Sequence, residues 1–408
     1  MDWIVSQVGA RQHYATPIAF HRRGELRKFY TEAWSGRANG LLSRFAGPVR
    51  AFAQRYSSEL PAEKVTSCNA ATLFSQLISN RINPPPNGFD IWRREGEHFA
   101  KWVNRQVAHD PVNPKTTAFY GCKSVCLETL QEFRKQGVFT LVDQADPSKV
   151  EEELVQQERA RWPGWEPATD VMPADYYNRC KAEWDTADVV MVYSEWTRQA
   201  IIEQGVPAEK VITVPLAYEA KAVPVARPTR DRDRMTVLWL GTVILRKGIP
   251  YLIEAARQLQ DRPIDFVVAG QVNISKEAIA TAPPNMRFIG RIIRGQTAQI
   301  YESADLFVLP TISDSFALTQ VEAMSHGLPV IATPRCGTVV TDGVDGRIVP
   351  AGDATALAAA ISAIDANRSL LAAMSIAAPK KAATFTLDSY ARQIHDQVIA
   401  RRPELARS

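Results

Sequence analysis

Asp314 and Glu322 stand eight positions apart in the run DSFALTQVEAMSHG, which spans Asp314–Gly327. Asp314 follows an apolar strand pattern, ADLFVLP, and Glu322 falls within a short helix. Between them Phe316, Ala317, Leu318 and Thr319 offer backbone N–H groups at a helix start, which suits an anion. A carboxylate accepts two hydrogen bonds and so matches the vicinal hydroxyls of a ribose or a sugar ring. Two carboxylates also raise a glycosidase pair, whose groups lie about 5–9.5 Å apart. Eight helical residues separate them by about 12 Å along the axis, so independent roles as hydroxyl acceptors fit better. Glu322 has a second reading. Thr319–Glu322 matches a capping box, which would engage that carboxylate in the helix itself. Asp314 has a turn residue as its plainer alternative. The pattern as a whole suits a charged, hydroxyl-rich ligand such as a nucleotide-sugar.

Arg246-Lys247-Gly248 is the second constellation. Glycine lets a backbone approach closely, arginine forks onto phosphate oxygens, and lysine adds a point charge. Together they could neutralise a leaving diphosphate without a metal. Gly9-Ala10-Arg11 follows the first strand as a phosphate-facing turn, without the full G-x-G-x-x-G of a dinucleotide site. Arg11, His13 and Tyr14 are candidates to line a cleft, with core or surface roles as the alternative for His13. His109-Asp110 offers acid–base chemistry or, as the plainer reading, a cap before Pro111. Cys122 follows a strand but has no histidine beside it to act as a base. Trp162 and Trp165 offer a sugar-stacking face or ordinary core.

The elements that must position these residues are short apolar strands alternating with helices. In the second half, strands are expected at Met235–Leu240, Ile264–Ala269, Met286–Ile289, Leu306–Leu309, Pro329–Ala332 and Arg347–Val349. Helices are expected at Pro250–Leu259, Gln296–Ser303, around Glu322 and at Ala354–Ile364. In the first half, strands are expected at Trp3–Val8, Thr117–Tyr120, Val138–Val142, Val189–Val192 and Val211–Val214. Helices follow at Val125–Lys135 and Glu195–Gln204. The stretch Ala33–Asn113 reads as extra helices plus a mobile segment, with a loop at Asn83–Gly88. A final amphipathic helix is expected at Leu387–Ala400. This is the pattern of parallel sheets covered on both faces, in an α/β, doubly wound architecture. The polar stretch Ala217–Arg234 marks the domain boundary. The expected units are 1–219, 220–385 and a terminal helix over 386–408.

Composition narrows the class. The chain has 408 residues, 46% hydrophobic and 23% charged, with five cysteines in no disulfide or zinc pattern. Nothing approaches the roughly 18 consecutive apolar residues of a membrane span. The N-terminus reads as a buried strand rather than a secretory signal, so a cytoplasmic protein is expected. The net charge of +4 is too small to point to nucleic acid. Met1–Lys115 nevertheless carries 16 Lys and Arg against 9 Asp and Glu, densest at His21–Tyr30. Two readings stand for that block: peripheral contact with an anionic membrane at its inner face, or a helix face turned to water.

VLWLGTVILRKGIPYLIEAARQL resembles the strand–loop–Lys-Gly–helix of the retaining glycosyltransferases of the GT-B fold, family 4, and ADLFVLPTISDSFALTQVEAMSHGLPVIATPRCGTVVTDGVDGRIVPAGD resembles their donor-site signature and following loop. VVMVYSEWTRQAIIEQGVPAEKVITVPLAYE resembles the end of that family's N-terminal domain. The resemblance implies two Rossmann-like domains facing a cleft. Nucleoside-diphosphate-sugar is the implied substrate, the acceptor is undetermined, and no metal or cofactor is implied. It further implies that Glu322 binds ribose and that Asp314 holds the transferred sugar. Ala317, Leu318 and Thr319, with Phe316 before them, would cradle the distal phosphate. Arg246 and Lys247 would neutralise the diphosphate, Arg291 and Ile292 would flank the base, and Gly9 would close on the phosphates. Three departures stand out. Asp314 replaces the usual glutamate, Thr242 stands where many members have arginine, and Gly121-Cys122 stands where many have a histidine. They leave a second reading, a GT-B nucleotide-sugar-binding module without turnover.

Overall fold

The computed structural model describes residues 1–36, 52–69, 88–167, 171–219 and 234–407. Seven strands form the first sheet: β1 (Asp2–Gln7), β2 (Leu26–Thr31), β3 (Val65–Ser67), β4 (Thr117–Cys122), β5 (Phe139–Asp143), β6 (Val189–Val192) and β7 (Val211–Thr213). Six form the second: β8 (Met235–Leu240), β9 (Ile264–Ala269), β10 (Met286–Gly290), β11 (Leu306–Leu309), β12 (Val330–Ala332) and β13 (Gly346–Ile348). Every described strand pairing is parallel. The central strands β4, β5, β6 and β11 are buried at every position, because helices cover both faces of a parallel sheet.

Spatial order runs β3-β2-β1-β4-β5-β6-β7 in the first sheet and β10-β9-β8-β11-β12-β13 in the second. Both orders reverse direction once, between β1 and β4 and between β8 and β11. A crevice opens at such a point beyond the carboxyl ends of the strands. The loops carrying Gly9, Lys123, Gly241 and Asp314 all leave the sheets there.

The expected strands are present in both halves, within a residue or two at their ends. Two further strands, β2 and β3, carry the first sheet beyond β1. The block His21–Tyr30 is therefore not one helix face. It ends the Ala15–Arg22 helix, turns at Gly24, and becomes β2. Its cations are committed within the fold. Arg22 pairs with Glu59 and Glu219, Arg23 with Glu25 and Asp388, and Arg27 with Asp110. Residues 37–51 and 70–87 of Ala33–Asn113 lie outside the described residues, including the loop at Asn83–Gly88 up to its last residue. A 20-residue helix, Gly88–Val107, follows it. Residues 220–233, the greater part of the expected boundary, also lie outside them. Among the described residues no single helix is long and apolar enough to cross a membrane.

The chain returns at its end to the first domain. The Leu387–Ile399 helix packs on the Ala15–Arg22 helix. Its Tyr390 is 1% exposed, and its hydroxyl lies 3.1 Å from both the Thr16 hydroxyl and the Tyr120 hydroxyl. Tyr218 donates its backbone N–H to the Phe385 carbonyl at 2.7 Å, so the two interdomain crossings lie side by side. Tyr390→Phe leaves two buried hydroxyls without this partner. The expected loss is about 1–2 kcal/mol, read as a lower urea midpoint; an unchanged midpoint would show that the helix docks by packing alone.

Candidate donor-site cleft

The second domain supplies its loops through close backbone contacts. Gly248 has φ 74, and a Cβ there would lie 1.8 Å from the Pro310 carbonyl oxygen. Only glycine permits that approach. It seats Leu245–Lys247, a single 3₁₀ turn, against the loop leaving β11. The Arg246 carbonyl accepts from the Ile312 N–H at 2.9 Å and from the Thr311 hydroxyl at 3.1 Å. Lys247 forms an ion pair with Asp314, whose side chain is 13% exposed. Burial works to raise the Asp314 carboxyl. The Lys247 ammonium, the Arg246 guanidinium and the Phe316 N–H outweigh it and hold the group below the usual carboxylate range.

Phe316 itself points into the core, 1% exposed and edge-on to Phe385. Gly337 makes room for it, since a Cβ there would lie 2.4 Å from its ring. Ala317 is left-handed, with φ 60, a strained backbone for a residue with a Cβ. Leu318 and Thr319 are partly buried beside it. The helix begins at Thr319, after a Leu318 cap with no side-chain bond. Thr319 is thus the first helical residue and not the cap residue, so the capping box does not form in its expected register. Glu322 instead accepts a 2.9 Å hydrogen bond from the hydroxyl of Tyr301, which is buried and stacked on His326. Tyr301 lies 21 residues earlier, on another helix, and no local pattern links it to Glu322. Arg291 is exposed and Ile292 half-buried beyond β10, after Gly290 with φ 73. Thr242 is exposed after β8.

The first domain faces this site with buried charge. Glu183 accepts from the N–H groups of Ser124 (2.6 Å) and Cys126 (3.1 Å), which pins the loop after β4. That loop carries Lys123 into an ion pair with Asp146. Asp146 also accepts from the Ser148 N–H at 2.9 Å. Despite burial, Lys123 and these bonds hold Asp146 below the usual range. Gly121 cannot carry a larger side chain here, because a Cβ would lie 2.6 Å from Cys126. The Cys122 thiol is pushed up to about 12, first by burial, so it is no nucleophile.

Arg11 is placed by an unusual backbone. Gln12, His13 and Tyr14 are consecutively left-handed, with φ 47, 54 and 68. Such residues cost about 1–2 kcal/mol each. The guanidinium lies among Cys122, Asp143, Tyr193 and Asp146. Tyr14 is core, packed edge-on to Phe29 and Trp34, and His13 is exposed. The Gly9 N–H donates to Glu32 at 3.0 Å. Asp110 serves Arg27 at 2.7 Å.

One helix, Lys149–Arg161, joins the two faces. Glu158 accepts from the Tyr251 hydroxyl at 2.7 Å, and that hydroxyl accepts from Arg161 at 2.6 Å. Trp162 and Trp165 follow, with Trp162 edge-on to Tyr251 and Trp165 against the second core. They are docking residues. Glu166 accepts from the Leu245 N–H at 2.6 Å, and Glu151 reaches Arg246 at 3.3 Å.

Residues 234–367 match a family model described as glycosyl transferases group 1. The second domain is a glycosyl transferases group 1 domain. A D-inositol 3-phosphate glycosyltransferase of Geodermatophilus obscurus is 30% identical over 201 residues, 43% of this chain and 45% of that protein. A phosphatidyl-myo-inositol mannosyltransferase of Mycolicibacterium smegmatis is 33% identical over 141 residues, 33% of this chain and 36% of that protein. The chain thus spans about half or less of the length of these two relatives. The likeness to solved structures covers both domains. HepE of Anabaena in complex with UDP is 15% identical with a TM-score of 0.63, covering 98% of this chain and 100% of that one. A sucrose-phosphate synthase of Thermosynechococcus elongatus is 19% identical with a TM-score of 0.62, at the same coverage. The fold of the chain is GT-B, and the family match lies within its second domain.

Gly248→Ala forces the turn away from Pro310. It is expected to lower stability by about 1–3 kcal/mol, read as a fall in the urea midpoint. An unchanged midpoint would show that the turn tolerates a Cβ and does not set the position of Lys247.

Proposed function

We propose that the protein is a retaining glycosyltransferase of family 4, moving a sugar from a nucleoside-diphosphate-sugar to an acceptor hydroxyl. The observation that carries this is the cluster of Arg246, Lys247 and Asp314 beyond β8 and β11, with Glu322 held by Tyr301 on the helix that follows. Lys247, with Arg246 beside it, stabilises the departing diphosphate where its charge develops, and no metal is required. Asp314 is held ionised by Lys247 and accepts from hydroxyls of the transferred sugar. Glu322, oriented by Tyr301, takes the ribose hydroxyls. Arg291 and Ile292 flank the base, the backbone at Phe316–Thr319 receives the distal phosphate, and Gly9 lies across the cleft from it. The leaving diphosphate takes the acceptor proton on the same face, so no protein nucleophile is invoked. Reaction takes place in the cytoplasm, and any contact with an anionic membrane is peripheral. Several structures of this fold hold UDP or UDP-glucose, which makes uridine the first base to test.

Incubation with UDP-, GDP- and ADP-sugars, reading free nucleotide, is expected to show release with one base. Tight binding of a donor with no release under any acceptor would instead make the protein a binding module. The anomeric proton coupling of the product is expected to report retention; an inverted product removes the mechanism.

Glu322→Ala removes charged hydrogen bonds to two hydroxyls. Donor affinity is expected to fall at least about tenfold. Unchanged calorimetric affinity would take ribose away from Glu322.

A further inference from the structure

Arg246 does not face open cleft. Its Nη1 donates to the Ser313 carbonyl at 2.9 Å and lies 3.3 Å from Glu151 Oε2. The same carboxylate oxygen accepts from the Ser313 hydroxyl at 2.8 Å. The Ser313 hydroxyl in turn accepts from Trp196 Nε1 at 3.1 Å. Glu151 and Trp196 belong to the first domain, Arg246 and Ser313 to the second. Asp146 stands just before the helix of Glu151, and Asp314 lies beyond Arg246 with Lys247 paired to it.

Charge balance makes this contact consequential. Among the described residues the cleft brings together Arg11, Lys123, Arg246 and Lys247 with Asp143, Asp146, Glu151 and Asp314. Lys123, Arg246 and Lys247 each have a carboxylate partner, and Arg11 has Asp143 and Asp146 near it. A diphosphate adds negative charge that the site must accommodate. Asp314 and Asp146 are held ionised by Lys247 and Lys123. Glu151 differs from both. Burial and the like charges of Asp146 and Asp314 act against it, Arg246 and Ser313 act in its favour, and its carboxyl is raised above its ordinary value.

We infer that the Glu151 carboxylate holds the position on Arg246 that a donor phosphate oxygen takes, and must be displaced for the diphosphate to bind. This rests on the reading of the cleft as a nucleotide-sugar site. Carboxylate and phosphate compete for the same guanidinium fork. The competitor comes from the opposite domain, so its displacement also breaks an interdomain bond. Glu151 thereby sets donor affinity and couples it to the separation of the domains. Loss of its charge, by substitution or by protonation, favours the donor.

Calorimetric titration with UDP, GDP and ADP tests this. Glu151→Gln keeps the shape and removes the charge; it is expected to lower the Kd for the preferred nucleotide about tenfold. Glu153→Gln, on the exposed face of the same helix, is expected to change nothing. Ser313→Ala frees Glu151 from its second tether without touching charge, and is expected to tighten binding by a smaller factor. In an Arg246→Ala background the gain from Glu151→Gln is expected to vanish. As pH falls from neutral, wild-type affinity is expected to rise relative to Glu151→Gln, because a protonated Glu151 no longer competes. If wild type binds a nucleotide and Glu151→Gln binds it equally or more weakly, the competition is overturned and the nucleotide reading stands. A gain that persists without Arg246, or appears in Glu153→Gln, overturns it as well. If wild type binds none of the three, the nucleotide-sugar reading fails and this inference with it.

Discussion

Charge buried at the facing edges of two parallel sheets must be paired, and that requirement organises the cleft. A lone ion in such a place is costly, and removing one partner of a buried pair costs more than the pair contributes. Lys247 with Asp314 and Lys123 with Asp146 meet the requirement within one domain each. Arg246, with Asp314 near it in its own domain, forms its ion pair with Glu151 in the other. The domains are therefore held together by the same groups that a charged ligand would engage. The interdomain contact and the proposed donor site share one network.

Backbone proximity is what puts those groups in register. Gly248 against Pro310, Gly270 against the Gly241 carbonyl and Gly337 against Phe316 are approaches that a Cβ would block. The consequence is a rigid floor under Arg246, Lys247 and Asp314. The first domain uses a different device. There a buried carboxylate, Glu183, binds two backbone N–H groups and so shapes the loop that presents Lys123. The left-handed run Gln12–Tyr14 adds local strain at the same edge. Strain of this kind persists only where the surroundings over-determine it.

Much of the fold was legible along the chain. Strands such as VVMV and LFVL are short, apolar and bounded by turns, and a strand buried on both faces needs nothing else to be recognised. β2 was not legible, because Arg27 and Lys28 interrupt its apolar residues and its cations read as a charged surface. In the fold those cations find partners at Asp110 and at the Glu63 carbonyl. The candidate site was legible where its residues are local. Asp314, Glu322, Arg246 and Lys247 lie in two compact stretches that lead directly from strand ends. Tyr301, Glu151, Ser313 and Trp196 were not, since what matters in each is a partner on another element. Glu322 shows the limit well. Its spacing from Thr319 admitted two readings, and the helix start at Thr319 with the Tyr301 bond removes the capping box in its expected register.

The sequence by itself determined the doubly wound class, the candidate site segments and the glycine loops, because periodicity, strand length and backbone freedom are properties of short segments. It also placed the departures at Thr242, Asp314 and Gly121. Tertiary structure alone decided what those residues touch. The pairing of Lys247 with Asp314, the orientation of Glu322 by Tyr301 and the clasp of Arg246 by Glu151 each join elements distant in the chain. Such contacts depend on how two sheets and one bridging helix are set against each other, and buried charge then selects its partner by distance.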